Sequence, residues 1–355
     1  MGKINQKYIA DRLGLSITTV SRCFTNHPRI NPETRAKVYQ LAAELGYSYN
    51  AFRNQKPGQR TDKGTIAVLV GASEKVADAA GVAGKIFAGI TQKAAALDYR
   101  VELFFLDPSE FEPNMRSRRI IPNSSSNNWT GVVLVFPFRE SAVRSLMNKF
   151  QVISVLDEYE ELDIDSINPD QGRGIAKMLK HLFVSGHRNI GFLSWKYKNN
   201  LDTPWVETRL GSYFEHHVRF GLPFDPEKVM IVDETDAWES CKAADLVIER
   251  IKAGMTGLVC AADHQAYELI RRLSERGVRV PDDISITGYD GIPVPPGLPQ
   301  LTTYSTPFTE IGVTGMVALQ RRIDHPLASR SHVLVDGAII RGTTTRSLVD
   351  GFASR

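Results

Sequence analysis

The stretch NQKYIADRLGLSITTVSRCFTNHPRINPETRAKVYQLAAELGY, residues 5–47, decides how this chain is read. Its punctuation predicts three short helices. Asn5 is placed to cap the first, Ile9, Ala10 and Leu13 give it one apolar face, and Gly14 can take the left-handed conformation that ends it. Ser16 stands at the N-cap of the second helix, whose Val20 and Phe24 fall one turn apart on the inner side. Ile17, Thr18, Ser21 and Arg22 are then left on the outside, near the helix start. Asn31-Pro32-Glu33 opens the third helix with a capping Asn, Pro at the first helical position and an early acid. Val38, Leu41, Ala42 and Leu45 form its apolar stripe, and Gly46 closes it. A helix, a tight turn and a second helix with exposed polar groups at its head form a helix-turn-helix, the unit that sets a recognition helix in a DNA major groove.

Charge points the same way. Residues 1–60 carry ten Lys or Arg against three acids (Asp11, Glu33 and Glu44), a net of +7 in a chain whose total is +3. The remainder is therefore about −4, and the positive charge is concentrated where phosphates would be met.

At 355 residues there is room for one small and one large domain, or for three lobes, and 42% hydrophobic residues suffice for a core in each. The opening MGKINQKYIADRLG is polar, so no secretory signal is expected. No apolar run approaches the ~18 residues of a membrane span, and a cytoplasmic protein with no membrane partner is expected. Cys23, Cys241 and Cys260 lie far apart without paired spacing and are expected to be reduced. His181 and His187, six apart, and the adjacent His216 and His217 lack the spacing of a metal site, and no phosphate loop or catalytic motif occurs. No metal, cofactor or enzymatic activity is expected.

Between residues 48 and 64 the composition changes to SYNAFRNQKPGQRTDKG, a polar, basic run broken by Pro57-Gly58, which marks a linker. Apolar runs then alternate with amphipathic segments. Strands are expected at 65–70, 100–106, 131–136, 151–156, 189–193, 229–232, 257–260 and 284–288. Helices are expected at 85–97, 140–149, 172–185, 207–220, 237–252, 264–276 and 310–323. Strands rich in Val, Ile and Leu between helices imply parallel sheets covered on both faces, and two lobes suit their number better than one.

Seven segments, in this order, resemble the LacI/GalR family of transcriptional regulators over essentially the whole chain. They are IADRLGLSITTVSRCFTN (9–26), HLFVSGHRNIGFLS (181–194), ETRLGSYFEH (207–216), GLVCAADHQA (257–266), RGVRVPDDISITGYDG (276–291), LTTYSTPFTEIG (301–312) and LVDGAIIRGTTT (334–345). The resemblance implies an α/β protein: an all-α helix-turn-helix domain at 1–49, a hinge at 50–63, and at 64–345 a two-lobed, periplasmic-binding-protein-like domain with doubly wound parallel sheets. A tail follows at 346–355. It further implies a homodimer on near-palindromic operator DNA, with helix 85–97 near the twofold axis. The effector, a carbohydrate or its derivative, would bind between the lobes and alter operator affinity; a purine or other metabolite is the alternative.

Carried over by position, Ile17, Thr18 and Arg22 would read bases, Arg22 through a bidentate pair with guanine, while Ser16 caps at the same surface. Thr19, Ser21 and Asn26 would hold phosphate, although packing within the helix is an equal role for Thr19. The hinge departs from the family. Asn50 and Ala51 match, but Tyr49 stands in place of Pro, and Lys56 in place of the Leu that wedges into the minor groove. Lys56 would rest on phosphate, with Phe52 as the alternative wedge. For the effector, Arg209 matches the family's clamping arginine and Asp290 the carboxylate that accepts hydroxyl hydrogen bonds. Asp263 follows Ala262, where the family commonly has Asn. Trp238, Phe308, Trp195 and Trp205 are the aromatic planes available to stack on a sugar.

Overall fold

The computed structural model describes residues 5–24, 29–31, 34–35, 37–38, 41–42, 45, 47, 49–50, 63–71, 77–113, 121, 128–196, 204–223, 225–233 and 242–349. It opens with helices α1 (Gln6–Leu13) and α2 (Ile17–Phe24), followed by helical backbone at 34–35, 37–38 and 41–42. Beyond them the chain forms two compact units. The first comprises residues 1–169 and 308–335, the second residues 170–307 and 336–355, so the chain passes from one to the other three times.

The first unit is built on strands β1 (Tyr49–Asn50), β2 (Thr65–Gly71), β3 (Arg100–Leu106), β4 (Trp129–Val135), β5 (Gln151–Val155), β6 (Asp165–Pro169) and β12 (His332–Val335), in the order β1-β3-β2-β4-β5-β6-β12. All pair in parallel except β1, which lies antiparallel on β3. Helices α3 (Ala77–Ala96), α4 (Glu140–Met147) and α9 (Phe308–Asp324) complete the unit. The runs TIAVLV and GVVLV are buried on both faces, as parallel strands covered by helices must be. Where the sequence suggests a linker from residue 48, the backbone of Tyr49 and Asn50 is instead a strand, in register with Leu103 and Glu102. Helix α3 starts eight residues earlier than its amphipathic pattern predicts, because ADAAGVAG is made of small residues with little polar contrast.

The second unit repeats the plan with β7 (Ile190–Lys196), β8 (Val229–Asp233), β9 (Gly257–Cys260), β10 (Ser285–Asp290), β11 (Thr302–Ser305) and β13 (Ala338–Ile340), ordered β13-β11-β10-β9-β7-β8. Only β13 is antiparallel. Its helices are α5 (Gln171–Val184), α6 (Pro204–Arg219), α7 (Lys242–Lys252) and α8 (Asp263–Ser274). Strands β6, β11, β12 and β13 are missing from the sequence reading because DSINP, TTYS, HVLV and AII are short and mostly polar or exposed. The histidines serve this fold: His187 bonds Thr256 and the Arg346 carbonyl, and His181 bonds Thr345, so both hold the chain's last described segment. Cys23 and Cys260 are buried and form no disulfide among the described residues, and Cys241 lies outside them.

Two contacts fix the first unit. Helices α3 and α9 cross with backbones touching: a Cβ on Gly89 would meet the Thr309 carbonyl oxygen at 2.0 Å, and one on Gly312 the Ile86 oxygen at 2.1 Å. Arg322 of α9 then grips Asp165 of β6 in a buried fork, Nε–Oδ2 2.8 Å and Nη2–Oδ1 3.0 Å, while Ser331 N donates to Oδ1 at 2.6 Å. Removing one partner of such a pair leaves an uncompensated buried charge. Arg322→Ala is expected to cost about 3–5 kcal/mol in urea unfolding. A loss below ~1 kcal/mol, the range of exposed pairs, would show the fork to be dispensable.

Candidate functional site

The helix-turn-helix segment is built as its residues dictate. Asn5 Oδ1 accepts from Tyr8 N at 2.9 Å, and Gly14 ends α1 at φ 64°. Ser16 Oγ accepts from Thr19 N at 3.0 Å, and Asn31 Oδ1 accepts from Thr34 N at 3.4 Å. Val20, Cys23 and Phe24 are buried, whereas Ser16, Ile17, Thr18 and Arg22 are exposed along one side of α2. Ile17, an apolar residue left 49% exposed, offers a surface of the kind that contacts a thymine methyl. Thr19 is half-buried with its hydroxyl 2.9 Å from Ser16 Oγ, so it belongs to the cap, and Ser21 is half-buried. Asn26, Phe52 and Lys56 lie outside the described residues, as do the side-chain surroundings of Asn50.

In the second unit the strand order reverses between β7 and β9, and in sheets of this kind ligands bind beyond the carboxyl ends of the strands at such a switch point. Arg209 is found there. It comes from α6, which follows β7, and is only 4% exposed. Its Nε donates to Gln171 Oε1 at 2.7 Å, Nη1 to the Ala261 carbonyl just past β9, and Nη2 to Asp290 Oδ1 at 3.3 Å at the end of β10. The guanidinium also lies 3.6 Å from the Tyr289 ring centroid and 4.5 Å from that of Trp205. A buried guanidinium packed against two aromatic rings is a preorganised fork for hydroxyl or carbonyl oxygens. Asp290 completes it in a strained backbone, φ 113°, of the kind that gathers at functional sites.

Asp263, the first residue of α8, is 1% exposed and already engaged: Thr303 Oγ1 donates to it at 2.6 Å and Ile292 N at 2.9 Å. It thereby anchors the loop that follows Asp290. Burial, with the Asp290 charge adding to it, pushes its carboxyl up to about 7. Trp195, by contrast, is a core residue, 2% exposed and edge-on to His264. Phe308 belongs to the first unit, buried with Lys85 Nζ 5.8 Å from its ring centroid. Trp238 lies outside the described residues. Gln171 and Tyr289 are absent from the sequence reading; Tyr289 precedes Asp290 in the run ITGYDG, where strand alternation turns neighbouring side chains to opposite faces.

The first unit has its own strand-end features. Phe136 and Leu156, directly after β4 and β5, hold left-handed backbones at φ 68° and 66°. Next to Leu156, Asp157 is raised to about 6 by burial. None of these three figures among the sequence candidates, since left-handed backbone in bulky residues has no signature in composition.

A capped recognition helix joined to two doubly wound units, one carrying a buried clamp at its switch point, defines a DNA-binding regulator with a periplasmic-binding-protein-like domain. Residues 7–50 match the bacterial regulatory proteins of the lacI family, and residues 179–345 the periplasmic binding protein-like domain. The chain thus joins a lacI-family regulatory segment to a periplasmic binding protein-like domain. It is 26% identical to the HTH-type transcriptional repressor CytR of Escherichia coli over 345 residues, covering 95% of each chain. Its fold matches that of the transcriptional regulator CelR in complex with cellobiose at TM-score 0.65 and 20% identity, covering 96% of this chain and 99% of the other. The lac repressor dimer bound to operator and an anti-inducer matches at TM-score 0.60 and 20% identity, with 98% and 100% covered. Among the described residues no helix is long and apolar enough to cross a membrane.

The Asp263 carboxyl carries a pH prediction. Its folded pKa lies above the unfolded value of about 4, so between pH ~4 and ~7 the folded chain keeps a proton that the unfolded chain has lost. The contribution of this carboxyl to stability is therefore expected to fall as pH rises through that window and to level above it. Asp263→Asn should remove that contribution from the slope of melting temperature against pH, leaving a contribution of the same sign from Asp157 and one of opposite sign from His181, His187 and His217, which burial holds below the usual imidazole range. An unchanged slope would show that Asp263 is ionised throughout.

Proposed function

We propose that this protein is a dimeric, effector-responsive repressor that reads operator DNA with the head of α2 and binds a saccharide against Arg209 and Asp290. The observation that carries the reading is the Arg209 clamp: a buried guanidinium, packed against two aromatic rings, meets an acceptor carboxylate at the switch point of the second unit. A sugar presents what this surface takes, hydroxyls that bridge a donor fork and an acceptor, and an apolar ring face suited to Trp205. The cellobiose complex of CelR lends the same class of ligand to a related fold. The ligand acts by binding one conformation of the chain more tightly than another, and so shifts the population that holds DNA.

A thermal-shift screen of the purified protein against cellobiose, ribose, other sugars, sugar phosphates and purines tests the effector. Each hit is then assayed for its effect on binding to DNA from the region upstream of the protein's own gene. A sugar that raises the melting temperature and changes DNA affinity is the expected result, and a purine doing so would replace the sugar reading. Arg209→Ala or Asp290→Asn is expected to remove the response to that sugar while operator affinity without it stays within about twofold; loss of DNA binding in both variants would refute the separation of roles. On the DNA side, Arg22→Ala is expected to abolish discrimination between operator and random duplex, about 1–3 kcal/mol per guanine contact. Unchanged specificity in a competition binding assay would remove Arg22 from base reading.

A further inference from the structure

The chain enters or leaves the second unit at three places, and all three are held by Tyr289, Asp290 and Tyr304 at the ends of β10 and β11. At the first crossing, Tyr289 Oη donates to the carbonyl of Asp170, the first residue of the unit, at 3.3 Å. At the second, Thr306 N, one residue before the unit's boundary at Pro307, donates to the Asp290 carbonyl at 3.3 Å. At the third, Tyr304 Oη donates to Asp336 Oδ1 at 3.1 Å and accepts from Gly337 N. The two rings pack on each other with centroids 4.7 Å apart, and both residues are fully buried. Each is seated against a glycine. A Cβ on Gly174 would lie 2.4 Å from Tyr289 Cε2, and one on Gly337 2.8 Å from Tyr304 Cζ. The assembly also touches the clamp, since the Arg209 guanidinium lies 3.6 Å from the Tyr289 ring centroid.

We infer that Tyr289 and Tyr304 are positioning residues that transmit the state of the Arg209 clamp to the segments through which the chain crosses between its units. The inference rests on reading Arg209 as the effector clamp. A ligand that draws the guanidinium towards itself changes the load on the Tyr289 ring, and close packing leaves that ring few ways to respond without moving Tyr304 or the Asp170 carbonyl. Lys177 gives the third crossing its stiffness: its Nζ donates to Asp336 Oδ1 at 2.7 Å and to the Gly337 carbonyl at 2.7 Å, so Asp336 and Gly337 respond as one body.

Hydrogen exchange of the full-length, effector-free protein tests the link, read by mass spectrometry on peptides containing residues 336–338 and 170–174. Arg209→Ala and Tyr304→Phe are each expected to accelerate exchange at 336–338 by about tenfold; Arg209→Ala is also expected to accelerate exchange where it bonds the chain directly, at Gln171, Ala261 and Asp290. The double variant is expected to exchange no faster than the faster single variant, because both act on one connection. Tyr289→Phe keeps the ring over Arg209, and it is expected to accelerate 170–174 only. Trp205→Ala removes the other ring on the guanidinium and is expected to leave both peptides as they are. Unchanged exchange at 336–338 in Arg209→Ala, effects that multiply in the double variant, or an equal response to Trp205→Ala would each overturn the link. If Arg209→Ala fails to fold, Arg209→Gln removes the cation while keeping a polar partner for Asp290 and is read in the same way. No effector is needed for this measurement. A link found without any sugar response would refute the effector reading alone, and a sugar response without the link would refute the inference alone.

Discussion

The second unit is organised around the cost of burying one positive charge. Arg209 is almost completely removed from water, and an unpaired guanidinium in that position would not be tolerated. Every element that supplies a partner is consequently fixed in place: the start of α5 through Gln171, the end of β9 through Ala261, and the end of β10 through Asp290. These are the elements that surround the switch point, so the need to satisfy one cation and the geometry of a ligand site coincide. Asp263, buried close by, is stabilised differently, by donors from Thr303 and Ile292 rather than by a cation. The division leaves Asp290 as the carboxylate that answers to Arg209 and Asp263 as the one that holds the loop.

How much of this was legible in the sequence depended on the range of the forces involved. The helix-turn-helix could be read almost residue by residue, because Asn5, Ser16 and Asn31 cap their helices through bonds spanning three residues, and Gly14 terminates α1 locally. The central strands were legible because burial on both faces demands an unbroken apolar run, as in TIAVLV. Strands such as DSINP and TTYS were not, since they are only five and four residues long and mostly polar in composition. Within the candidate site, Arg209, Asp290 and Asp263 were reached by resemblance. Gln171 and Tyr289 were not reached at all, because what marks them is a contact across 38 residues in one case and 80 in the other. Trp195 shows the reverse failure: an aromatic ring suited to sugar stacking by its chemistry is committed to the core by its place in β7.

Three of the four described non-glycine residues with positive φ share a place in the fold that composition does not express. Phe136, Leu156 and Asp290 are bulky or polar residues for which positive φ is unfavourable, and each sits within a residue of the carboxyl end of a parallel strand, while Asp98 lies in the turn after α3. The bonds holding them are specific: Phe136 N reaches the Val155 carbonyl, and Leu156 N reaches that of Ile167. In each unit the sheet thus ends by turning its chain sharply at the edge where ligands are bound in folds of this type.

The short strand β1 bears on how the protein behaves when cut. Tyr49 and Asn50 lie along β3, which would otherwise be the outermost strand of its sheet. β3 is a poor strand to leave uncovered, for VELFF is buried and rich in apolar side chains, and an open row of amide and carbonyl groups invites pairing with another chain. The backbone of Tyr49 and Asn50 thus covers the edge of β3 at Leu103 and Glu102. Truncation beyond residue 50 would remove more than the helix-turn-helix, since it would open that part of the edge to pairing with another chain.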